Sequence, residues 1–442
     1  MVKRQIAWLL VVCTILGLGI GVAGANPKEI KLKYWVDPRL RQIEGMEDVT
    51  SLPGDYERIQ AEEFMKLHPH VSIEVEVIPF EDLTVRIPAA IAAGAAPDLL
   101  RDYLGRTAQY WHQGVLEPLE DLIPEDEKAD YLPGFLDMYT LDGHMHALPV
   151  YAWAGHLAAN KEIWEEKDVA ELLPTDSLDW TVTEFEKALY AVKEDNLWPM
   201  GLFVPPDGQA DYRYLAFFWI FGAKLYENGD YSRVALNTPA GIEALEFLVH
   251  LSDEDLIQPG ATTMTSAQLD SMLWRGEIGI LGNTLAIWKG YENAKRDGKV
   301  TRDIELVPLP YPYKEGTQSP GLAVGPTGIA IFKQKDPEKL KWAVEFARFL
   351  NRPEYQRVYA QNAGQFPTRI STGNPFGDDP NYAAVQYMLN EYGVEDLGVT
   401  SPKYNQVRAL LSKEIQSALV HLKSPEKALA DFEREANRQL SR

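Results

Sequence analysis

The segment from Gly143 to Lys161, GHMHALPVYAWAGHLAANK, restricts the fold of this chain more than any other. It leaves a turn at Asp142-Gly143 and runs through apolar Ala147-Leu148-Pro149-Val150. Two rings follow at alternating positions, Tyr151 and Trp153, before the small-residue run Ala158-Ala159-Asn160. Proline has no N–H to give to a sheet ladder, so the segment reads as an edge strand or a crossing between two bodies, not a central strand. Alternation puts Tyr151 and Trp153 on one side. The expectation is a hinge crossing between two lobes, with both rings facing a ligand cleft.

Length agrees, because 442 residues exceed what one hydrophobic core usually supports. A net charge of -22 argues against nucleic acid or an anionic membrane surface as partner. The N-terminus reads as a secretory leader: Lys3-Arg4, an apolar run from about Ile6 to Val22, then Ala23-Gly24-Ala25. Cleavage is expected after Ala25, with export to the periplasm or cell surface. Cys13 is the only cysteine and lies inside the apolar run behind bulky Val12, which disfavours a lipoprotein. A mature chain without thiols has neither a disulfide nor a CxxC metal site. Gly19 to Gly24 match G-x-G-x-x-G, but within the leader and after no strand, so the match carries no dinucleotide site.

Ile30, Leu32 and Tyr34 alternate with lysines, Tyr56 to Leu67 has helical spacing, and Val71 to Val77 alternates again. This strand-helix-strand order is the unit of an α/β lobe with parallel pairing. A helix over about 82–93 and a strand over 97–102 follow. In such open sheets ligands sit at the carboxyl ends of strands. That rule singles out Trp35 and Asp37 after the first strand, and Arg101, Asp102 and Tyr103 at the third. Further on, Thr181 with Glu184, Thr238 with Pro239, Asp336-Pro337 and Ser424-Pro425 each announce a helix start. The aromatic stretch Trp198 to Tyr226 reads as helical core, with Asp207 and Tyr212 as candidates to face a cleft. Ser319 to Gly325 reads as a flexible link.

Several fragments, in this order, resemble the family 1 extracellular solute-binding proteins of ABC importers, the maltose-binding-protein-like group. They are Ala96-Pro97-Asp98, Gly114 to Leu119, Gly143 to Pro149 with Asn160-Lys161, Trp180-Thr181, Phe221 to Leu225, and Gly276 to Gly279. Pro353 to Gln356, Gly364 to Arg369 and Ser424 to Leu429 complete the series. The resemblance implies an α/β, two-lobed periplasmic-binding-protein fold of type II, each lobe a mostly parallel sheet flanked by helices. It puts 26–152 and 303–354 in the first lobe, and 153–302 and 355–442 in the second. It also implies a carbohydrate ligand, membrane permease subunits as partners, a monomer, no cofactor and no resident metal. Three features depart from the family pattern. His146 stands where Tyr is common, Asn283-Thr284 stand near a usual Gly-Pro-Trp, and the loop Pro38 to Asp55 is long.

By family position the ligand contacts are Trp35, Asp37, Arg101, Asp102, Tyr151, Trp153, Asp207, Trp288 and Tyr404. Ring faces suit the C–H face of a pyranose, and covering on the order of 100 Å² of it supplies roughly 2.5 kcal/mol. Charged groups then hold the hydroxyls. Plainer readings compete: Trp35 and Trp153 as core, Asp37 as a loop cap, Arg101-Asp102 as a structural pair, and Tyr404 as an ordinary helix-face residue. His144-x-His146 has the spacing of a metal pair on a strand but lacks further Cys or His nearby. Two other functions stay open. A secreted glycosidase would need two carboxylates across one bond, and a binding protein for an acidic sugar such as a uronate would draw on Arg39, Arg41 and Arg101. The mature chain contains no G-x-S-x-G, H-E-x-x-H or P-loop.

Overall fold

The structure, a computed structural model, describes residues 28–79, 82–206, 208, 210–227, 230–302 and 304–441. The expected leader with its cleavage point, and the candidate Asp207, lie outside the described residues. Alternating apolar residues give β1 (Ile30–Val36) and β2 (Val71–Val77), which pair in parallel from Ile30↔Val71 to Val36↔Val77. Between them α1 (Asp55–Leu67) turns Tyr56, Glu57, Gln60, Ala61 and Phe64 inward at helical spacing. After α2 (Leu83–Ala92), β3 (Leu99–Tyr103) pairs in parallel with β1 at Tyr34↔Leu99, and α3 (Leu104–His112) leaves its end directly. Phe64, Leu32, Tyr34, Leu99, Ile329 and Phe346 share one core. Each fully buried side chain of that size contributes roughly 1.5–3 kcal/mol.

The strand Leu148–Asn160 joins this lobe to the next. Its first part pairs antiparallel with the strand Leu322–Ile331, from Leu148↔Ile329 to Gly155↔Ala323. Its last residues pair with Ile278–Asn283 and with Leu306–Leu309. One strand thus belongs to both lobes, in the order β2, β1, β3, Leu322–Ile331, Leu148–Asn160, Ile278–Asn283, Trp198–Gly201. The segment is a crossing, but it also lies in the middle of the sheet, where the proline rule does not expect it. The ladder slips there: Tyr151 faces Thr327 while Pro149 faces Gly328, so Val150 is skipped. A missing N–H costs little at such an irregularity. The Pro149 carbonyl still accepts from Asn351 Nδ2 at 2.8 Å and from Thr368 Oγ1 at 3.0 Å.

In the second lobe all nine residues of the helix Tyr212–Ile220 are buried, which accounts for the aromatic stretch. It packs beside Pro239–Asp253, whose N-cap Thr238 accepts from Gly241 N. Thr181 and Glu184 form a capping box, and Asp336 and Ser424 cap their helices. The helix Pro353–Ala363 crosses the expected lobe boundary at 354. Tyr355, Tyr359 and Ala363 pack in the core that holds β1. Ser319 to Gly325 does not read out as a flexible link: from Leu322 on it is strand, and Gly325 lies opposite Trp153. Among the described residues no helix is long and apolar enough to cross a membrane.

Candidate functional site

A cavity of about 260 Å³ opens between the lobes over the crossing strands. The first lobe supplies Arg39, beyond the end of β1, Tyr103 at the end of β3, Arg106 on α3, and Thr327. From the second lobe come Asp211 and Tyr212 at the start of the Tyr212–Ile220 helix, Thr284 after Ile278–Asn283, and Arg408 on the helix Tyr404–Leu419. Trp153 and Gln365 line it from the crossing segments. The carboxyl ends of β1 and β3 therefore do face the cleft, as the open-sheet rule requires.

Three rings from three parts of the chain meet here. Tyr103 stacks on Trp153 with centroids 6.0 Å apart and planes at 24°, and Tyr212 approaches the indole at 4.9 Å and 43°. Glycines make room for them. A Cβ on Gly325 would collide with the Trp153 indole, and one on Gly105 would stand 2.7 Å from Tyr404 Cε1 and 2.9 Å from Tyr103 Cε1.

Charges are arranged behind and around these rings. Asp37 Oδ2 accepts from Arg39 Nε and Nη2 at 3.1 and 2.8 Å, and Asp37 Oδ1 accepts from Arg101 Nη2 at 2.8 Å. Burial alone would raise the Asp37 carboxyl, but Arg39 and Arg101 reverse this and hold it below its ordinary value. Asp102 grips Arg106 by Nε at 2.9 Å and Nη2 at 2.5 Å. Burial lowers the Arg106 guanidinium, and Asp102, with Tyr110 and Asp37, more than reverses this, so it is held above its ordinary value. Across the cavity Asp211 caps its helix by accepting from Tyr212 N at 3.1 Å, and accepts from the Tyr404 hydroxyl at 2.7 Å. Burial raises its carboxyl, and Arg408 and Tyr404 offset this only in part. Two buried polar atoms on the wall have no hydrogen-bond partner: Arg408 Nε and Gln365 Oε1. They are places where a ligand can bond.

The sequence candidates divide into lining and supporting groups. Trp153 lines the cavity. Tyr151 is fully buried, packed on Tyr359 at 5.1 Å, with Arg39 Cζ 6.0 Å from its ring. Asp37 and Asp102 lie behind Arg39 and Arg106. Arg101 is sealed among Asp37, Glu57 and Tyr359. Tyr404 is buried and orients Asp211. Trp35 sits in the core under Arg86, and Trp288 donates from Nε1 to Leu306 O at 3.2 Å beside His156; neither lines the cavity. Arg41 pairs at the surface with Asp297 at 3.2 Å. The sequence reading missed Arg106, Asp211 and Arg408. The i,i+4 spacing of Asp102 and Arg106 and the cap position of Asp211 are legible signals, whereas nothing in the sequence points to Arg408.

A second, larger cavity of about 590 Å³ lies against Ala152, Trp153 and Ala154 of the same strand. Leu132, Phe135, Phe366 and Leu389 give it apolar walls, and its arginine, Arg369, is tied to Asp130 at 2.7 Å. Arg408 Nε and Gln365 Oε1, both without a partner, make the smaller cavity the candidate recognition site. Asp211 is the only carboxylate among its described lining residues. No group of three or more His, Cys, Asp or Glu that could hold a metal ion occurs among the described residues. His146 and His156 are buried, which pushes both imidazoles down to about 4.

Comparison with known proteins places these features in a family. Residues 49–357 match the family described as bacterial extracellular solute-binding protein. A Brucella abortus binding protein is 21% identical over 381 residues, covering 86% of this chain and 88% of that one. Among solved structures, an ABC transporter solute-binding protein from Thermotoga lettingae, bound with α-D-tagatose, superposes with a TM-score of 0.77 at 20% identity, covering 93% of this chain and 100% of that one. An ABC substrate-binding protein from Listeria monocytogenes in complex with cycloalternan gives 0.77 at 20% identity, over 94% and 100%. The shared fold is the two-lobed one described above.

Proposed function

Because the chain belongs to the bacterial extracellular solute-binding protein family, we propose that it is the extracytoplasmic solute-binding component of an ABC importer. It captures a sugar or oligosaccharide between its lobes and delivers it to membrane permease subunits. The observation that carries this reading is the meeting of Tyr103, Trp153 and Tyr212, one ring from each lobe and one from the strand that both share. A ligand touching that cluster touches both lobes, so closure and capture become one event. The tagatose and cycloalternan in the similar structures support a saccharide as the captured solute.

Arg39, Tyr103, Arg106, Trp153, Asp211, Tyr212 and Arg408 contact the ligand in this reading. Asp37, Arg101, Asp102 and Tyr404 hold them in place. The first lobe consists of 26–152 and 303–354 together with the helix Pro353–Ala363, and the second of 153–302 with the rest of the C-terminal part. The leader directs export and is cleaved after Ala25, leaving a monomer that releases its ligand chemically unchanged.

The test is a thermal-shift panel of mono- and oligosaccharides on the chain from Asn26, followed by analysis of the recovered ligand. At a hundredfold excess over the dissociation constant, binding stabilises by about 2.7 kcal/mol. Stabilisation with intact ligand supports capture. A panel without any shift, or the appearance of cleaved product, refutes it.

A further inference from the structure

The wall of the interlobe cavity is unusually rich in donors. Three guanidiniums reach it from separate elements: Arg39 and Arg106 in the first lobe and Arg408 in the second. Guanidinium groups donate only, in a planar fork that matches an oxyanion. The carboxylates that pair with two of them stand behind the wall: Asp37 and Asp102 are only 3% and 1% exposed. Both hold their arginine by the Nε and Nη2 edge of the fork.

Arg408 differs from the other two. It is 5% exposed, its Nη1 approaches the Tyr404 hydroxyl at 3.4 Å, and its Nε has no partner. It makes no ion pair among the described residues, and Asp211 acts on it only at a distance. A buried cation in that position calls for an anion. Acceptors for hydroxyl groups also stand on the wall, at Asp211, which meets Arg408 at the Tyr404 hydroxyl, and at the unpartnered Gln365 Oε1. The wall thus offers three guanidiniums with few acceptors beside them, which suits a molecule that carries one oxyanion and several hydroxyls. About 260 Å³ is below the usual range of ligand pockets, roughly 300–1,000 Å³, so the occupant is small. The chain's net charge of -22 does not oppose this, because charges farther than about 8 Å are largely screened at physiological salt.

We propose that the cleft selects a monosaccharide-sized sugar bearing one oxyanion, the carboxylate of a hexuronate or the phosphate of a sugar phosphate, held between Arg39 and Arg106 of one lobe and Arg408 of the other. This deepens the solute-binding reading and rests on it. The grounds are not those of the sequence reading: Arg41 and Arg101 turn out to be a surface pair and a buried brace, and Arg106 and Arg408 take their place.

The test is titration calorimetry of the chain from Asn26 with glucuronate, galacturonate, glucose 6-phosphate, glucose, galactose and maltotriose, on wild type, Arg408→Gln and Arg408→Lys. Wild type should bind at least one acidic sugar about 10- to 100-fold tighter than its neutral counterpart, the value of a charge-assisted hydrogen bond or two. The uronate and phosphate arms identify which oxyanion is read. Arg408→Gln should collapse the acid-to-neutral ratio toward one, and Arg408→Lys should retain part of it. Neutral sugars or maltotriose binding as tightly as the acids, or a ratio unchanged in Arg408→Gln, would overturn the oxyanion reading and leave sugar capture standing. Failure of all six ligands on folded wild type would instead remove the reading on which it rests.

Discussion

Arg101→Met separates a ligand contact from a structural brace. Arg101 is fully buried and donates to Asp37 Oδ1 from Nε at 3.1 Å and Nη2 at 2.8 Å, to the Asp37 carbonyl at 3.1 Å, to Glu57 Oε1 at 2.6 Å, and to the Tyr359 hydroxyl. Without it, Asp37 keeps Arg39 at 2.8 Å. Glu57 keeps only the hydroxyl of Tyr359, at 2.8 Å, and its Oε2 has no partner. The cost is therefore that of one uncompensated buried charge, about 3–5 kcal/mol, and not the sum of the broken bonds. Against a usual total of about 5–15 kcal/mol, that is a large fraction of stability. Urea denaturation near neutral pH, followed by far-ultraviolet circular dichroism, measures it. Adding Glu57→Gln to Arg101→Met should recover most of the loss, since replacing both partners of a buried pair is often close to neutral. A loss below about 1 kcal/mol would refute the brace. So would a double variant no better than the single, or intact stability with ligand binding abolished.

Other perturbations probe the cleft and the buried imidazoles. Trp153→Ala removes the ring between Tyr103 and Tyr212 and should cost the free protein about 2 kcal/mol, less than a fully buried indole, while erasing most of the ligand-induced shift in thermal melts; an unchanged free midpoint would show that the ring carries no packing. Gly325→Ala forces a Cβ into the space of the Trp153 indole, so about 1–3 kcal/mol of overpacking and weakened ligand binding are expected, and unchanged affinity would refute the placement of that ring. Burial pushes His146 and His156 from 6.5 down to about 4, so each takes up a proton on unfolding; the stability they support is full above about pH 6.5 and is lost as pH falls through about 4. Replacing His156 by Gln should flatten the stability-versus-pH curve in that window by up to about 1.4 kcal/mol per pH unit, and an unchanged slope in denaturation midpoints would refute the assignment.

Local pattern made much of the architecture legible. Alternation at Ile30, Leu32 and Tyr34 and at Val71 to Val77, helical spacing between them, and caps at Thr181, Thr238, Asp336 and Ser424 each depend on neighbours within a few residues. Such signals survive in one dimension because strands have period two and helices 3.6. Pro149 and Gly325 misled for one reason: their local meaning, ladder breaker and flexible joint, was overruled by partners far away in sequence. Asn351 and Thr368 satisfy the Pro149 carbonyl, and the Trp153 indole occupies the space a side chain at 325 would need.

The sequence by itself determined that two α/β lobes form and that Trp153 lies on the strand between them. Only the tertiary structure decided which charged residues look into the cleft. Arg101 and Arg106 are indistinguishable as letters, yet the alternation of β3 buries the first against Glu57, while α3 carries the second to the cavity wall. Arg408 reaches the same wall from a helix near the far end of the chain. The side on which a guanidinium emerges depends on what packs behind it, and the packing partner is set by the fold and not by the adjacent sequence.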